Sequence, residues 1–484
     1  MLNQTVIIEQ IRENGNRVMS DILNDLIKDH KIKHDKMISN YNRYQASKAP
    51  DGVPIFSRKF DDTSKIDRHI NNPFDAGIID VKLGFMLGNP IIYELDEDKY
   101  SDAIRDELTN FNKLNNTEDI DGEVLKMASI CGYGARLLYD NHDGEIRIMN
   151  VSPWECIFVK DGSLNEAQYA MRYYRITENN KKRVYVEWYD DTNISYYIAD
   201  ESEVVNGIET KLAFTQYIKN GKTLQPHMFD GIPLIQFNNN EEMQGDCEKV
   251  YESIDAYDRT ISDINSEMEQ NRLAYMVFFG MMPDKQTREE AKKTGVYGMI
   301  GGVGSNDDVK FITKEMHDDA VEHHLDRLED NIIRGAKSVN FKDEAFGGNV
   351  SGVAAKYKML ALESKSIISE RKFTAALRSQ YKVLATAWKK LGTTIEYLDM
   401  KFTWTRNFPV DMLNEAETSL KLKGLISDKT RIGLFSFIDD VEAELQLMED
   451  EEAANPMINL SEPQVDEFGN PITPAVAGVA QEVV

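Results

Sequence analysis

The chain has 484 residues, a length that predicts about three domains and is ample for a buried core. Its 82 Asp and Glu against 56 Lys and Arg leave a formal net charge of −26, which disfavours a basic, sequence-reading DNA-binding protein. With 41% hydrophobic residues and 13 prolines, the composition is typical of a folded protein rather than of a disordered acidic one.

Cysteine usage and the N-terminus indicate the compartment. Cys131, Cys156 and Cys247 lie far apart, so no disulfide framework and no CxxC zinc site can be drawn from them. The first residues lack the apolar stretch of a signal peptide, and no segment approaches the roughly 18 uncharged residues of a spanning helix. We expect a soluble cytoplasmic product that has no membrane contact, metal or cofactor.

Helical spacing dominates residues 1–45, where one face is apolar and contains Val18, Ile22, Leu26 and Ile27. Residues 71–93 predict a short buried helix that ends at Gly88 and Asn89, followed by a strand that Pro90 opens. The next helical patterns cover residues 102–114 and 122–131.

Beyond these helices, short β-branched or aromatic segments alternate with turn signals. They are ARLLY, EIRIM, CIFV, QYAMRYYRI, RVYVEWY and ISYYI. This pattern predicts a mainly antiparallel sheet and, with the helices, an α+β domain over residues 46–248.

The most regular pattern follows, with seam positions three and four residues apart at Ile254, Tyr257, Ile261, Ile264, Met268, Asn271, Tyr275 and Phe278. It predicts a helix over 249–279, roughly 45 Å long at about 1.5 Å per residue. A second helix is predicted over 314–338, with the apolar line Val321, Leu325, Leu328, Ile332 and Ala336. Seams of this kind face other helices.

Between the two helices, residues 280–313 predict a small subdomain. Thr287 to Glu290 is a capping box, and VYGMI and DVKFIT are predicted strands around a GGVGSN turn. The Gly-rich run has no P-loop pattern and no βαβ setting, so a hairpin turn is favoured over a phosphate site.

The remainder of the chain predicts helices and one strand. A polar loop over 339–351 precedes a helix over 352–392, with Ser351 as its N-cap, Gly392 beyond its end and a bend between Ser364 and Ser369. A strand within 393–410 returns to the sheet domain. Acidic helices broken at Gly424 and Ser427 follow over 411–454, and a disordered acidic tail over 455–484.

Two groups of residues carry possible chemistry. Asp75, Asp80 and Lys82 resemble a magnesium-dependent nuclease motif, but they fall on a predicted helix, so a structural charge cluster is favoured. His317, His323 and His324 lack the spacing that would bring metal ligands to one helix face. We predict no active site, and the long seams favour an assembly protein over an intramolecular bundle.

Four stretches of the chain resemble the portal proteins of tailed bacteriophages that infect Gram-positive hosts. The stretches are GIIDVKLGFMLGNPIIY after Asn71 and Asn72, the segment from Ile232 to Gly280, SGVAAKYKMLALESKSIISERKF from Ser351, and GLISDKTRIGLFSFIDDVEAELQLMEDEE from Gly424. Phe85 stands where a Tyr is commoner in the family. The resemblance covers most of residues 45–450.

The resemblance implies an α+β portal fold that forms a ring of about a dozen subunits at one capsid vertex. Its regions would be an α/β wing (46–248), a two-helix stem (249–279 and 314–338), a small α/β clip (280–313), a tunnel loop (339–351), a tunnel helix (352–392) and a helical crown (411–454). For residues 1–45, predicted as an N-terminal helical segment, the resemblance offers no usable match.

The implied function is passage of double-stranded DNA through the ring during packaging and ejection. The implied partners are further copies of the chain, the large terminase subunit, a head–tail adaptor, the scaffold and the major capsid protein. The implied location is the virion, after assembly in the host cytoplasm.

The resemblance also implies site residues. The predicted stem wall comprises Glu252, Asp255, Asp258, Asp263, Glu267 and Glu269. The predicted DNA-facing residues around the tunnel loop are Lys337, Lys342, Asp343, Glu344, Phe346, Gly347, Gly348, Asn349 and Lys356. The predicted partner-binding residues of the clip are Lys285, Arg288, Glu289, Lys292 and Lys293. Because carboxylates repel phosphates, we expect few, weak DNA contacts that are confined to lysines near the loop.

Two rival functions remain. A nuclease would cleave DNA in a reaction that Asp80→Ala abolishes, and a minor capsid or head-completion protein would form particles without a DNA channel.

Overall fold

The structure, a computed structural model, describes residues 4–15, 18–46, 69–141, 143–162, 166–201, 211–219, 221–271, 275–279, 285–286, 289, 308–312, 318–340, 357, 359–407, 412–435, 438 and 441–454. The chain divides into two compact units. One comprises Met1–Gly348 with Lys356–Phe408, and the other comprises Asn349–Ala355 with Pro409–Val484.

Two helices open the first unit, α1 (Gln4–Glu13) and α2 (Ser20–Tyr44). Val18, Ile22 and Leu26 are buried, which confirms the predicted apolar face. This face packs with the side chains of one face of a large sheet, among them Val186 and Trp188. The N-terminal segment is therefore part of the domain core.

Antiparallel sheets form the centre of this unit, as predicted. A three-stranded sheet has the order β10-β2-β3, and a six-stranded sheet has the order β4-β5-β6-β7-β8 with β9 also paired to β7. Their strands are β2 (Tyr133–Asp140), β3 (Ile146–Val151), β4 (Cys156–Lys160), β5 (Ala167–Glu178), β6 (Lys181–Tyr189), β7 (Asn193–Asp200), β8 (Thr215–Gln216), β9 (Leu224–Pro226) and β10 (Leu234–Asn238).

Helices flank the three-stranded sheet. They are α3 (Phe74–Leu87), α4 (Asp102–Asn115) and α5 (Thr117–Cys131), and the short strand β1 (Ile92–Glu94) follows α3 as predicted. Helix α5 begins five residues before its predicted start, because Asn116, at φ 48°, separates it from α4 with a single left-handed residue.

The long helix predicted over 249–279 is shorter in the structure. Helix α6 covers Tyr251–Asn271, whereas Tyr275–Phe279 is a strand, β11, paired antiparallel with β12 (Asp308–Ile312). The helix prediction is wrong over 275–279. The segment YMVFF is aromatic and β-branched, and its intrinsic preference for a strand outweighs the continuing seam spacing.

Helix α7 (Asp318–Gly335) lies within the second predicted helix. Helix α8 (Leu360–Leu391) lies within the predicted tunnel helix and is unbroken through Ser364–Ser369. Gly392, at φ 98°, ends α8 in the left-handed conformation expected of a glycine there. Strand β13 (Lys401–Thr403) pairs with β1, which confirms the predicted return to the domain.

The second unit contains three helices among its described residues. They are α9 (Met412–Leu422), α10 (Asp428–Ile432) and α11 (Val441–Ala454). Gly424 has φ 83°, and the Ser427 hydroxyl caps α10 by accepting from the Thr430 amide, so both predicted breaks are confirmed.

Several predictions fall outside the described residues. They concern the strand VYGMI, the GGVGSN turn, most of the Thr287 capping box, the N-cap at Ser351 and the tail over 455–484. Among the described residues, no helix is long and apolar enough to cross a membrane.

Candidate channel and anchoring site

Helices α6 and α7 form an antiparallel pair whose root lies in the first unit's core. Ile254, near the start of α6, shares a buried cluster with Ile332 and Ala336, at the end of α7. A Cβ atom at Gly335 would lie 2.7 Å from Cγ1 of Val250, so the close approach of the two segments requires glycine there. The far ends lead into the paired strands β11 and β12.

The chain before α3 fixes one face of α6. Asp258 Oδ1 accepts from the Asn72 amide at 3.1 Å and from Asn72 Nδ2 at 2.6 Å. Ser262 Oγ accepts from the Ile70 amide at 2.9 Å. Asp258 is 2% exposed, and its burial raises its pKa, although the bonds from Asn72 oppose that rise. This face of α6 therefore belongs to the protomer's interior.

Arg43, at the end of α2, also anchors the root. Its Nη2 lies 2.7 Å from Asp255 Oδ1, and its guanidinium carbon lies 4.1 Å from the centre of the Tyr251 ring. Its Nε lies 3.8 Å from Asp75, whose pKa is raised to about 6 by burial even though Arg43 lowers it. The N-terminal segment thus holds α6, a role that its sequence did not reveal.

A buried lysine links three more elements beside this root. Lys82 of α3 is 0% exposed, and its Nζ lies 2.7 Å from Asn239 Oδ1, 3.0 Å from Asp246 Oδ2 and 3.1 Å from Ser129 Oγ. Burial lowers the pKa of Lys82 to about 8, and the charge of Asp246 opposes this change. The lysine remains charged at neutral pH and has three polar partners.

Asp246 has a second cationic neighbour, Lys365 of α8. Lys365 Nζ lies 3.4 Å from Asp246 Oδ1 and donates to the carbonyl of Ala336 at 3.0 Å. Burial by itself would raise the pKa of Asp246, but Lys82, Lys365 and the hydrogen bond from Asn239 lower it below its ordinary value of 3.8. The aspartate therefore stays ionised between two lysines.

A separate cation, Arg136 of β2, is buried farther along the same domain. Its Nη2 lies 2.7 Å from Asp121 Oδ1, its Nη1 3.0 Å from Gln380 Oε1 and its Nε 3.1 Å from Asn150 Oδ1. Tyr93 donates its hydroxyl to the other oxygen of Asp121. Since Gln380 lies in α8, this network fixes the middle of that helix against the sheet and α5.

The predicted stem-wall residues fall into different environments. Glu252 and Glu267 are exposed, whereas Asp255, Asp263 and Glu269 are half-buried. Asp255 is bound to Arg43, and Asp258 is buried beneath Asn72. The burial of Asp258 contradicts its prediction as a wall residue, because helical spacing alone did not show that residues 70–72 lie across this face.

Most predicted tunnel-loop and clip residues lie outside the described part of the chain. Lys337 is exposed just beyond α7, at φ 53°, and Lys285 and Glu289 of the clip are also exposed. The residues outside the description are Lys342, Asp343, Glu344, Phe346, Gly347, Gly348, Asn349 and Lys356 of the loop, and Arg288, Lys292 and Lys293 of the clip.

The nuclease-like trio has structural partners, as the favoured interpretation predicted. Asp75 faces Arg43, Asp80 accepts from the Tyr44 hydroxyl at 2.9 Å, and Lys82 binds Asp246. His323 and His324 are exposed on α7, while His317 is not among the residues that the structure describes. No cluster of three or more potential metal-ligating side chains occurs among the described residues.

Helix α8 has a basic face that was not predicted from the sequence. This helix has seven Lys and Arg against two Glu in a chain of net charge −26. Arg371, Arg378, Lys382 and Lys389 are seven, four and seven residues apart, which puts them on one face, and all are exposed. Among the described residues Lys382 pairs with Glu166, and the other three have no salt-bridge partner. The local charge contrast could have revealed this face.

Comparisons with known proteins agree with the resemblance and extend it into the N-terminal segment, for which the resemblance offered no match. The family model for "Phage portal protein, SPP1 Gp6-like" matches residues 23–456. A portal protein of Bacillus phage SPP1 is 25% identical over 413 residues, which cover 81% of this chain and 77% of that protein. A portal protein of Clostridium phage phiCD119 is 26% identical over 416 residues, which cover 81% of this chain and 86% of that protein.

Proposed function

The chain belongs to the phage portal protein family, SPP1 Gp6-like, and on that premise we propose that about twelve copies form a ring whose channel passes double-stranded DNA into and out of the capsid. The family match over residues 23–456 carries this proposal. The antiparallel pair α6 and α7 supports it, since two helices rooted in a domain core are suited to form a stem.

The exposed surface of α6 suits contacts between neighbouring copies. Met268, a residue of the predicted seam, is 55% exposed in the protomer. Because an apolar side chain gains free energy by leaving water, the far half of the seam can pack against an adjacent stem. Glu252 and Glu267, which are also exposed, would then present carboxylates that keep DNA from adhering.

Electron microscopy of the purified chain tests the ring directly. We expect closed rings with a central hole as wide as duplex DNA. Extended or monomeric particles without a hole would instead favour a minor capsid or head-completion protein. DNA cleavage lost in Asp80→Ala would favour a nuclease, although the full burial of Lys82 opposes that function.

The proposed DNA contacts comprise the tunnel loop and three residues of the basic face of α8, Arg371, Arg378 and Lys389, since Glu166 binds the fourth, Lys382. We expect Lys342→Ala, or alanine at both Gly347 and Gly348, to leave ring assembly intact and to reduce the length of packaged DNA. The double variant Arg371→Gln with Arg378→Gln tests the α8 face, with Lys382→Gln as the control because Glu166 already binds that lysine. Full-length packaged DNA in all three loop and α8 variants would refute these contacts.

The proposed clip, residues 280–313, would bind the large terminase subunit during packaging and a head–tail adaptor afterwards. Its place between the two stem helices supports this role, since β11 and β12 lie at the end away from the domain core. Deletion of residues 285–310 should abolish terminase binding in a pull-down assay while rings still form. Terminase binding that survives the deletion would refute the assignment.

The scaffold and the major capsid protein are the remaining proposed partners, with the acidic crown as their docking region. The proposed location is the portal vertex of the virion.

A further inference from the structure

We propose that Lys365 is a positioning residue that clamps the two flanks of the tunnel loop to each other and to the start of the stem. This inference rests on the proposed function, because it takes residues 339–351 as the loop that meets DNA. It adds a residue that acts on that loop without contacting DNA.

The contacts of Lys365 join three points that are distant in the chain. Its Nζ donates to the carbonyl of Ala336 at 3.0 Å, directly before the predicted loop, while Lys365 itself lies in α8, beyond it. The same ammonium lies 3.4 Å from Asp246, which precedes α6. One side chain therefore sets the spacing between the end of α7, the start of α8 and the segment that leads into α6.

Packing and chain geometry favour this closure. Val339, Met359 and Leu362 belong to the same buried cluster, so both flanks are packed into one apolar core. Lys337 adopts a left-handed conformation just after α7, which turns the chain and ends the helix beside the ammonium. A cation at a helix C-terminus is favourable because it binds carbonyls that the helix leaves unpaired.

Lys365 differs from its neighbour Lys82 in a way that suits a positioning role. Lys82 is fully buried. The Lys365 side chain is 13% exposed and has two acceptors, the Ala336 carbonyl and the Asp246 carboxylate. An apolar residue at position 365 could still pack, yet it would supply no bond between the flanks. The cation thus defines where α8 begins relative to α7, and Lys82 holds Asp246 in place to receive it.

Ser369, one turn along α8, makes a second contact that fixes the position of this helix. Its hydroxyl donates to Asn239 Oδ1 at 3.2 Å, and Asn239 Nδ2 donates to Asp246 Oδ1 at 3.0 Å. Lys365 and Ser369 therefore bind the same polar group, Asp246 with Asn239, from successive turns of one helix face. The start of α8 is held against sliding as well as against separation.

The distance between the two flanks can be measured with spin labels on the full-length chain. Cysteines replacing Arg334 and Leu360, both exposed, would carry one label on each flank, and the native cysteines Cys131, Cys156 and Cys247 are buried. Dilution with unlabelled protein keeps the measured distances within one protomer. We expect one narrow distance distribution in the parent protein and a broad or second distribution in Lys365→Met.

A variant that keeps the positive charge at position 365 distinguishes positioning by the cation from simple packing of the side chain. Lys365→Arg retains a cation that can reach Ala336 and Asp246, so its distance distribution should stay narrow. In a packaging assay we expect Lys365→Met to lower the yield of filled capsids about tenfold and Lys365→Arg to stay within about twofold of the parent. Lys372→Met is the matched control on α8, because its partner Glu241 is exposed.

Two results would overturn the clamp. One is a narrow, parental distance distribution in Lys365→Met, whatever its packaging yield. The other is a broad distribution in Lys365→Arg equal to that of the methionine variant. If Lys365→Met fails to fold, Lys365→Gln repeats the test with a neutral side chain. A parent protein that forms no channel would refute the proposed function, while the label distances would still test the clamp.

Discussion

Helix α8 is held at its middle by one buried arginine and near its start by two lysines that share an aspartate, and the two places differ in how much depends on a single residue. At its middle, Gln380 binds Arg136, whose guanidinium also binds Asp121 and Asn150. Near its start, Lys365 shares Asp246 with Lys82.

The difference lies in how the donors are distributed. The rigid guanidinium of Arg136 directs its donors to several partners at once, so the loss of this one residue leaves a buried carboxylate without its cation. At the start of α8 two lysines serve one aspartate, and either can remain when the other is lost. The middle of α8 thus depends on one cation, whereas its start is held by contacts that are divided between two.

The largest effect is expected for Arg136→Met. Because Asp121 would be left buried without its cation, we expect the free energy of unfolding to fall by about 4 kcal/mol, measured by urea denaturation. Arg175→Met is the control, since Arg175 pairs with Glu201 at the surface and should contribute less than about 1 kcal/mol. Equal losses of unfolding free energy in Arg136→Met and Arg175→Met would show that the buried arginine contributes no more than a surface one.

Acid should weaken the packing of α2 before it affects the start of α8. His30 of α2 lies against the large sheet, with its Nδ1 3.0 Å from the Tyr173 hydroxyl, and burial lowers its pKa from 6.5 to about 4. The unfolded chain therefore binds more protons between these values, so stability should fall by about 3 kcal/mol as pH drops from 6.5 to 4. The pKa of Asp246 is lowered instead, so its contribution persists at pH values above 3.8 and is lost only as pH falls through its folded-state pKa.

Urea titrations at several pH values would measure this acid effect. His30→Leu should flatten the stability profile between pH 6.5 and 4, whereas His323→Gln, at an exposed position on α7, should leave it unchanged. A profile that keeps its slope in His30→Leu would assign the acid sensitivity to other groups.

A smaller effect is expected for Lys82→Met. Asp246 would keep Lys365 and Asn239 as partners, so we expect a loss of about 2 kcal/mol in the free energy of unfolding. The measurement is the same urea denaturation. A loss as large as that of Arg136→Met would show that the two lysines do not share the aspartate independently.

The smallest effect concerns the root of α6. Asp258→Ala deprives Asn72 of the acceptor for its amide N–H and its side chain, and should cost about 1.5 kcal/mol. Glu252→Ala, at an exposed position on the same helix, should stay within about 0.5 kcal/mol of the parent. Similar values for the two variants would mean that the buried face of α6 contributes little to the root.

Local patterns predicted much of the fold. The β-branched and aromatic residues of RVYVEWY predicted β6, because such side chains pack well on the pleated surface of a sheet. Gly392 and Ser427 marked helix ends for equally local reasons. The prediction was wrong at Tyr275–Phe279, where two signals conflict. The spacing of apolar residues indicates a helix there, whereas the residue types favour a strand.

The sequence by itself determined most of the strands, most helix ends, the absence of a recognisable catalytic motif and, through four stretches of residues, the family. It could not place Arg43 beside Asp255, bury Asp258 beneath Asn72, or bring Lys82 and Lys365 to one aspartate. These residues are separated by tens to hundreds of positions, and no periodicity links them. Only the packing of α2, α3, α6 and α8 in one domain brings them within a few ångströms, where burial makes each charge depend on its partners.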